Sequence, residues 1–308
     1  MFRKPKIVII GAGSASFGFS CIRDAFHTKE LWGSELVFVD LDSISLDRMT
    51  KVAERINREL GAGYIISKTT DRCEALPGAD YVITSIAINR NEMWKHDFRV
   101  PKKYGINHIL GENGGPGAVF HTMRNIPIIL DICKDMERLC PNALLINFTN
   151  PESRICLAIK KYTKIKAVGL CHQIGYGIGI VSQITGLKAE DIDVKAAGLN
   201  HFTWMFDIRN KRTGEDLYPL FREKEKEYDP EYEKLSRYMF HKYGLFPTSG
   251  DGHLGEFVPY AHEMMSTDGY DFDADEKYRA EQIKLMNDIG AGLVDLDSKL
   301  LAPSEKGI

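Results

Sequence analysis

Residues 5–14 read Pro-Lys-Ile-Val-Ile-Ile-Gly-Ala-Gly-Ser, an apolar run that ends in a glycine turn. Four consecutive β-branched residues predict a buried strand, and the glycines let backbone N–H groups approach a bound phosphate closely. The next apolar run, 35–40, ends in Asp40. A carboxylate there can accept hydrogen bonds from a ribose, and its charge would repel a 2′-phosphate. Strand, glycine turn, helix and acid in this order predict a nucleotide site that favours NAD.

The glycine turn departs from the usual GxGxxG pattern, because Ser16 stands where the third glycine is expected. Gly18 is expected to restore the close approach of the following helix to the strand. Gly11, Gly13 and Ser14 are the predicted contacts of the cofactor's phosphates. The alternative interpretation is an ordinary glycine turn beside a strand-end aspartate.

Apolar runs alternate with helical patterns through the first half of the chain. Strands are predicted at 5–10, 35–40, 80–86, 143–148 and 166–170, and helices at 43–60, 118–139 and 152–162. This alternation predicts an α/β fold with a Rossmann-like, doubly wound parallel sheet. We therefore expect an NAD-binding domain over residues 1–172.

The pattern changes after residue 172. It predicts strands at 191–196 and 201–208, a charged helical region at 219–243, a glycine-rich loop at 245–256 and a helical segment at 275–294. We expect residues 173–308 to form a second, mixed α/β domain that carries the substrate, metal and subunit contacts.

The composition is that of an ordinary globular protein. The 308 residues are 44% hydrophobic and 27% charged, with a net charge of −3, so a nucleic-acid partner is not expected. No apolar stretch approaches membrane-spanning length. The six cysteines form no CxxC pair, which favours reduced thiols and a cytoplasmic protein.

Two further stretches contain metal-ligating residue types. Gly169-Leu170-Cys171-His172 ends a predicted strand, and Gly198-Leu199-Asn200-His201 precedes another. Ligands bind at the carboxyl ends of strands in open α/β sheets, and a thiolate with an imidazole can hold a divalent transition metal. A free cysteine is also commonly a small buried hydrophobe, so the spacing alone leaves a metal site and a structural role equally open.

Several motifs occur in an order that resembles glycoside hydrolase family 4, over residues 5 to about 260. They are Gly-Ala-Gly-Ser at 11–14, Glu-Asn-Gly-Gly-Pro-Gly at 112–117 followed by Arg124, Asn-Phe-Thr-Asn-Pro at 147–151, Gly-Leu-Cys-His at 169–172 and Gly-Leu-Asn-His at 198–201. The resemblance implies a glycosidase that uses NAD and a divalent metal, usually Mn²⁺, in place of a simple carboxylate pair. It also implies a homodimer or homotetramer.

The mechanism implied by the resemblance is transient oxidation of the sugar at C3, loss of the acidified C2 proton, elimination of the C1 substituent, and addition of water. Cys171 and His201 would hold the metal. His172 would act as the acid that assists the leaving group. Asp251 would remove the C2 proton, with His253 as its rival.

The resemblance also assigns the sugar pocket. The implied substrate contacts are Asn89, Arg90, Glu112, Asn150 and His172, and Asn150 would also contact the cofactor. An unphosphorylated α-glucoside or α-galactoside is the first expectation, and an α-uronide cleaved by the same mechanism is the alternative. The amide of Gln173 could bond a carboxylate or neutral hydroxyls, so this residue does not separate the two.

Members of the family usually continue beyond the position of Ile308, so the second domain is expected to be naturally short or the chain to be a fragment. Two other functions remain open from the sequence. One is an NAD-dependent sugar or hydroxy-acid dehydrogenase that releases NADH. The other is an inactive nucleotide-binding remnant.

Overall fold

A computed structural model describes residues 3–14, 17–265, 270–297 and 300–301. The chain forms two compact units that interleave in sequence. The first unit contains Met1–Asn91, Thr122–Leu170 and Asp271–Ile308, and the second contains Glu92–His121 and Cys171–Tyr270. The single domain boundary after residue 172 stays a prediction. These units differ from it because residues 92–121 group with the later part of the chain and residues 271–308 group with the first part.

The first unit is built on a six-stranded sheet in which every pair of neighbouring strands is parallel, with the order β3-β2-β1-β4-β5-β6. The strands are β1 (Lys6–Ile10), β2 (Glu35–Val39), β3 (Ile65–Thr69), β4 (Tyr81–Thr84), β5 (Leu144–Asn147) and β6 (Lys166–Gly169). This is the strand order of the doubly wound dinucleotide-binding fold, so the predicted fold class is confirmed. The order reverses between β1 and β4, and ligands bind beyond the carboxyl ends of strands at such a point.

Helices follow most of these strands. They are α1 (Gly18–His27), α2 (Ser43–Leu60), α3 (Arg72–Ala75), α4 (Arg90–Lys102), α5 (Gly115–Leu139) and α6 (Glu152–Tyr162). Alternate residues of β2 fill two hydrophobic cores: Leu36 and Phe38 pack into one, and Val37 and Val39 into the other. A parallel strand that is buried on both faces reads as a continuous apolar run, which explains the clear sequence signal.

The second unit contains a three-stranded antiparallel sheet with the order β7-β8-β9. Its strands are β7 (Ile192–Leu199), β8 (Phe202–Asn210) and β9 (Phe246–Pro247), and its later helices are α7 (Gln173–Thr185), α8 (Tyr218–Lys224), α9 (Lys234–Tyr243), α10 (Asp251–Leu254) and α11 (Ala261–Met264). The prediction of a glycine-rich loop at 245–256 is therefore wrong in part. It contains β9 and α10, which are too short to leave a periodic pattern.

The last helix, α12 (Phe272–Gly290), returns to the first unit and packs on α2. Arg55 Nη1 donates to Ile289 O at 2.7 Å, and Arg48 Nε donates to Asn287 Oδ1 at 3.0 Å. Within the described ranges, no helix is long and apolar enough to cross a lipid bilayer.

Candidate active site

The glycine turn after β1 packs closely against the backbone of neighbouring segments. Gly11 has φ +88°, and a Cβ at this position would lie 2.2 Å from Ser85 O. A Cβ on Gly18 would lie 2.3 Å from Ala12 O, so the helix approaches the turn as closely as predicted. Ser16 lies outside the described residues. Only glycine is tolerated at these two positions, because a side chain at either would clash with a backbone oxygen.

Asp40 lies against this turn. Its Oδ2 accepts a hydrogen bond from Gly13 N at 2.8 Å, and its Oδ1 accepts one from Asp42 N at 3.0 Å. The hydroxyl of Ser14 accepts a hydrogen bond from Phe17 N at 3.1 Å. The structure therefore brings together the predicted cofactor residues Gly13, Ser14 and Asp40, and the carboxylate is half-buried at the end of β2.

Three other predicted site residues belong to the first unit. Asn89 is exposed with φ +42°, directly before α4. Arg90 Nη1 forms an ion pair with Asp275 Oδ2 at 3.4 Å. The backbone oxygen of Asn150 accepts a hydrogen bond from Asn125 Nδ2 at 2.7 Å. Their roles toward substrate and cofactor stay predictions.

The second unit brings the two predicted metal ligands together. Cys171 lies two residues before the start of α7, and His201 lies in the turn between β7 and β8 with φ +64°. Cys171 Sγ is 3.3 Å from His201 Nε2. This separation is short enough for both atoms to bind one divalent ion. The two side chains therefore fit a common divalent metal.

The surroundings of Cys171 favour its thiolate. Burial raises the pKa of this thiol, but hydrogen bonds from His201, the Asn200 side chain and the Gln173 backbone N–H lower it below the ordinary value of 9.0. The thiolate is the form that binds a metal. The lowered pKa of Cys171 is thus consistent with its predicted role as a metal ligand.

A buried carboxylate, Glu256, lies on the other side of the His201 ring. Its Oε1 accepts hydrogen bonds from Glu112 N at 2.6 Å and Asn113 N at 2.8 Å. Its Oε2 lies 3.8 Å from His201 Nδ1 and 3.7 Å from His253 Nδ1. Glu256 is therefore hydrogen-bonded to the backbone of residues 112–113 and lies near two imidazoles.

The opposite charges of Glu256 and His201 shift each other's pKa toward the charged form. Burial raises the pKa of Glu256, but His201, His253 and the Asn113 N–H lower it to about 2. Burial lowers the pKa of His201, but Cys171 and Glu256 raise it to about 10. In the absence of a metal, Cys171 and Glu256 thus favour the protonated form of His201.

Sequence reasoning missed Glu256. The His-x-x-Glu spacing of residues 253 and 256 was the available signal, because residues three apart share one face of a helical turn. The buried Oε2 of Glu256 and the Nδ1 atoms of His201 and His253 have no hydrogen-bond partner in the part of the chain that the structure describes. The three side chains offer metal-ligand atoms within 4.8 Å of one another, and the two imidazole rings lie 4.0 Å apart.

The predicted proton-transfer residues have different surroundings. His172 is the half-buried N-cap residue of α7, next to Cys171. The carboxylate of Asp251 accepts hydrogen bonds from Leu235 N at 2.9 Å, Ser236 N at 2.8 Å and Ser236 Oγ at 2.7 Å. Asp251 therefore caps the N-terminus of α9, while the ring of its rival His253 contacts that of the predicted metal ligand His201. Their roles as base stay predictions.

Residues 6–187 match the model of family 4 glycosyl hydrolases, and residues 196–299 match that of the family's C-terminal domain. The chain belongs to glycosyl hydrolase family 4. Among its family 4 relatives, an α-glucosidase of Erwinia rhapontici is 34% identical, covering 84% of this chain and 66% of that protein. An α-galactosidase of Bacillus subtilis is 33% identical, covering 83% of this chain and 59% of that protein.

A solved 6-phospho-α-glucosidase from gut microorganisms, in complex with NAD and Mn²⁺, has the same family 4 fold. Its TM-score is 0.82 at 20% identity, over 96% of this chain and 71% of that one. The chain thus spans about three fifths of the length of the curated relatives that it matches.

Proposed function

We propose that the protein hydrolyses α-glycosidic bonds of an unphosphorylated sugar, with NAD bound by the first unit and Mn²⁺ held by Cys171 and His201. The observation that carries this proposal is the 3.3 Å separation of Cys171 Sγ and His201 Nε2. The α-glucosidase and α-galactosidase relatives support the substrate class. The solved relative with NAD and Mn²⁺ supports the pair of cofactors.

When bound, NAD supplies a hydride acceptor for C3 of the sugar, and the divalent ion supplies a Lewis acid for the neighbouring oxygens. The glycine turn at residues 11–14 would lie against the pyrophosphate, and Asp40 would accept hydrogen bonds from the ribose. Cys171 and His201 would hold the ion with positions left open for sugar oxygens.

Two protons must move during the reaction. His172 would hold the proton that the leaving-group oxygen receives. Asp251 or His253 would take the proton from C2. The three hydrogen bonds to Asp251 support a positioning role for it, and the contact of His253 with His201 favours His253 as the base.

The remaining parts of the proposal concern substrate range and assembly. An α-uronide cleaved by the same mechanism is the second substrate class. The six cysteines are free thiols, which supports a cytoplasmic location. The family resemblance favours a homodimer or homotetramer, and we expect neither a nucleic-acid nor a membrane partner.

The experiment is a stoichiometry measurement. The protein is incubated with NAD⁺, Mn²⁺, a thiol reductant, and aryl α-glucoside, α-galactoside or α-galacturonide, while phenol and NADH are followed together. We expect phenol release without accumulation of NADH. NADH formed in proportion to substrate would instead identify a dehydrogenase, and NAD binding with neither product would identify a remnant.

Two cysteine variants test the metal site within the same assay. Cys171→Ser should lose phenol release and Mn²⁺ binding but keep its NAD affinity, because the glycine turn lies in the other unit. Cys73→Ser, which changes a half-buried thiol of the first unit, should behave as wild type. Full turnover by Cys171→Ser would contradict the proposed metal site.

A further inference from the structure

The side chain of Gln173 connects the start of α7 to the turn that carries His201. Gln173 Oε1 accepts a hydrogen bond from His201 N at 2.6 Å, and its Nε2 donates to Thr203 Oγ1 at 3.2 Å. The Thr203 hydroxyl in turn donates to Leu199 O at 2.6 Å. One amide therefore spans the turn between β7 and β8.

His201 needs this support because of its backbone conformation. Its φ of +64° lies in the left-handed region that L-residues with a Cβ rarely adopt. It is 3% exposed, and its backbone oxygen accepts a hydrogen bond from Ser249 Oγ at 2.6 Å. Side chains from two other segments thus hold both backbone polar groups of His201.

Gln173 also acts on the second metal ligand. Its backbone N–H donates to the sulfur of Cys171, while its side chain holds the backbone of His201. A single residue at the first turn of α7 therefore touches both members of the pair that lies 3.3 Å apart.

We propose that Gln173 is a positioning residue for the metal ligand His201, and that its side chain does not contact the sugar. This inference rests on the proposed metal site at Cys171 and His201. An amide turned toward a sugar hydroxyl would release the 2.6 Å bond and leave the His201 N–H buried without its acceptor. Groups behind a metal ligand fix its orientation, and their loss commonly lowers metal affinity.

The experiment uses Co²⁺ as the probe, because a thiolate bound to Co²⁺ gives a charge-transfer band. The full chain with NAD is titrated with Co²⁺ as wild type, Gln173→Leu, Gln173→Glu and Gln183→Leu. Gln173→Glu keeps an oxygen acceptor for the His201 N–H. Gln183→Leu is the matched control, because Gln183 lies on the same helix and accepts from Tyr232 Oη at 2.8 Å.

We expect Gln173→Leu to bind Co²⁺ on the order of 10–100-fold more weakly, with an altered band. Gln173→Glu should recover most of the affinity, and Gln183→Leu should match wild type. If Gln173→Leu does not fold, Gln173→Asn, whose amide is one methylene shorter, should show the same loss.

The outcomes separate this inference from the proposed function. If wild type gives no thiolate band, the metal site itself fails. If wild type binds Co²⁺ and Gln173→Leu binds it equally well with an unchanged spectrum, Gln173 is not a positioning residue, while the metal site stands. A raised KM for the glycoside with unchanged Co²⁺ affinity would make Gln173 a sugar contact, and a Gln173→Glu chain as impaired as Gln173→Leu would also overturn the inference.

Discussion

At the scale of single residues, the site depends on buried charges that are balanced by their neighbours. Glu256 carries its charge with two backbone N–H groups on one oxygen and two imidazoles near the other. A carboxylate facing Nδ1 orients a histidine and makes its Nε2 a better ligand. Glu256 is thus placed to prepare His201 for the metal.

Changing Glu256 to Gln should weaken Mn²⁺ binding by roughly 10–100-fold, because the amide keeps the shape but removes the charge beside His201. Mn²⁺ affinity is measured by electron paramagnetic resonance of the free ion. The control is Glu225→Gln, another buried carboxylate of the second unit, which bonds Arg237 at 2.7 Å and His241 at 3.0 Å. Equal Mn²⁺ affinity in the two variants would contradict the role of Glu256.

Glu225 itself predicts a pH dependence of stability. Burial raises the pKa of Glu225, but the bonds from His241 and Arg237 outweigh it and hold the pKa below the ordinary 4.5. Its stabilising contribution is complete above pH 4.5 and is lost as the pH falls through the folded-state pKa. Chemical denaturation should show Glu225→Gln less stable by about 1–3 kcal/mol at neutral pH. The difference from wild type should shrink below pH 4.5, and a constant difference down to pH 3 would contradict this assignment.

The candidate metal ligands could be predicted from the sequence, but the residues that support them could not. Cys171 and His201 stand out because each belongs to a motif beside a strand, and the structure brings their side chains within 3.3 Å of each other. Glu256 and the bonds of Gln173 depend on contacts between segments 28 to 144 residues apart, which no local pattern records.

At the scale of elements, the first turns of α9 and α10 are joined by hydrogen bonds. Asp251 accepts hydrogen bonds from the first N–H groups of α9, and Glu233, the N-cap residue of α9, accepts from Asp251 N at 2.7 Å. Each acid therefore satisfies N–H donors that a helix start leaves open. This exchange fixes the segment that carries His253.

Asp251→Ala should lower the free energy of unfolding by about 1–2 kcal/mol, because the cap of α9 is lost. Thermal unfolding measures the effect, with the exposed Asp193→Ala as control. If Asp251→Ala keeps its stability but loses turnover, the carboxylate is the C2 base and the capping role is wrong.

The turn between β1 and α1 offers a second test at this scale. Gly11→Ala should abolish tight NAD binding, because its Cβ would meet Ser85 O at 2.2 Å. The control is Gly61→Ala, at φ +63° with open space around it, which carries backbone strain alone. Isothermal calorimetry with NAD⁺ compares them, and unchanged affinity in Gly11→Ala would rule out this turn as the cofactor site.

Element prediction succeeded for most of the parallel sheet, including the exposed edge strand β6. The five predicted strands of the parallel sheet and helix 43–60 are present within one or two residues at each end. The missed strand, β3, lies at the other sheet edge, has no buried residue and contains Lys68 among its five residues, so its signal is weak. The charged region 219–243 divides into α8 and α9 because residues 228–233 are not helical.

At the scale of the whole molecule, the two kinds of site lie in different compact units. The glycine turn and Asp40 belong to the first unit, and Cys171, His201 and Glu256 belong to the second. The packing of α12 in the first unit could not be predicted from periodicity. A helical pattern predicts a helix but does not indicate which hydrophobic core the helix packs on.

The most direct measurement is the fate of the C2 hydrogen during glycoside hydrolysis in D₂O. With NAD⁺ and Mn²⁺ present, removal of the C2 proton followed by water addition predicts one deuterium at C2 of the released sugar, seen by NMR and mass spectrometry. A sugar released with its original hydrogen at C2 would contradict cleavage by oxidation and elimination.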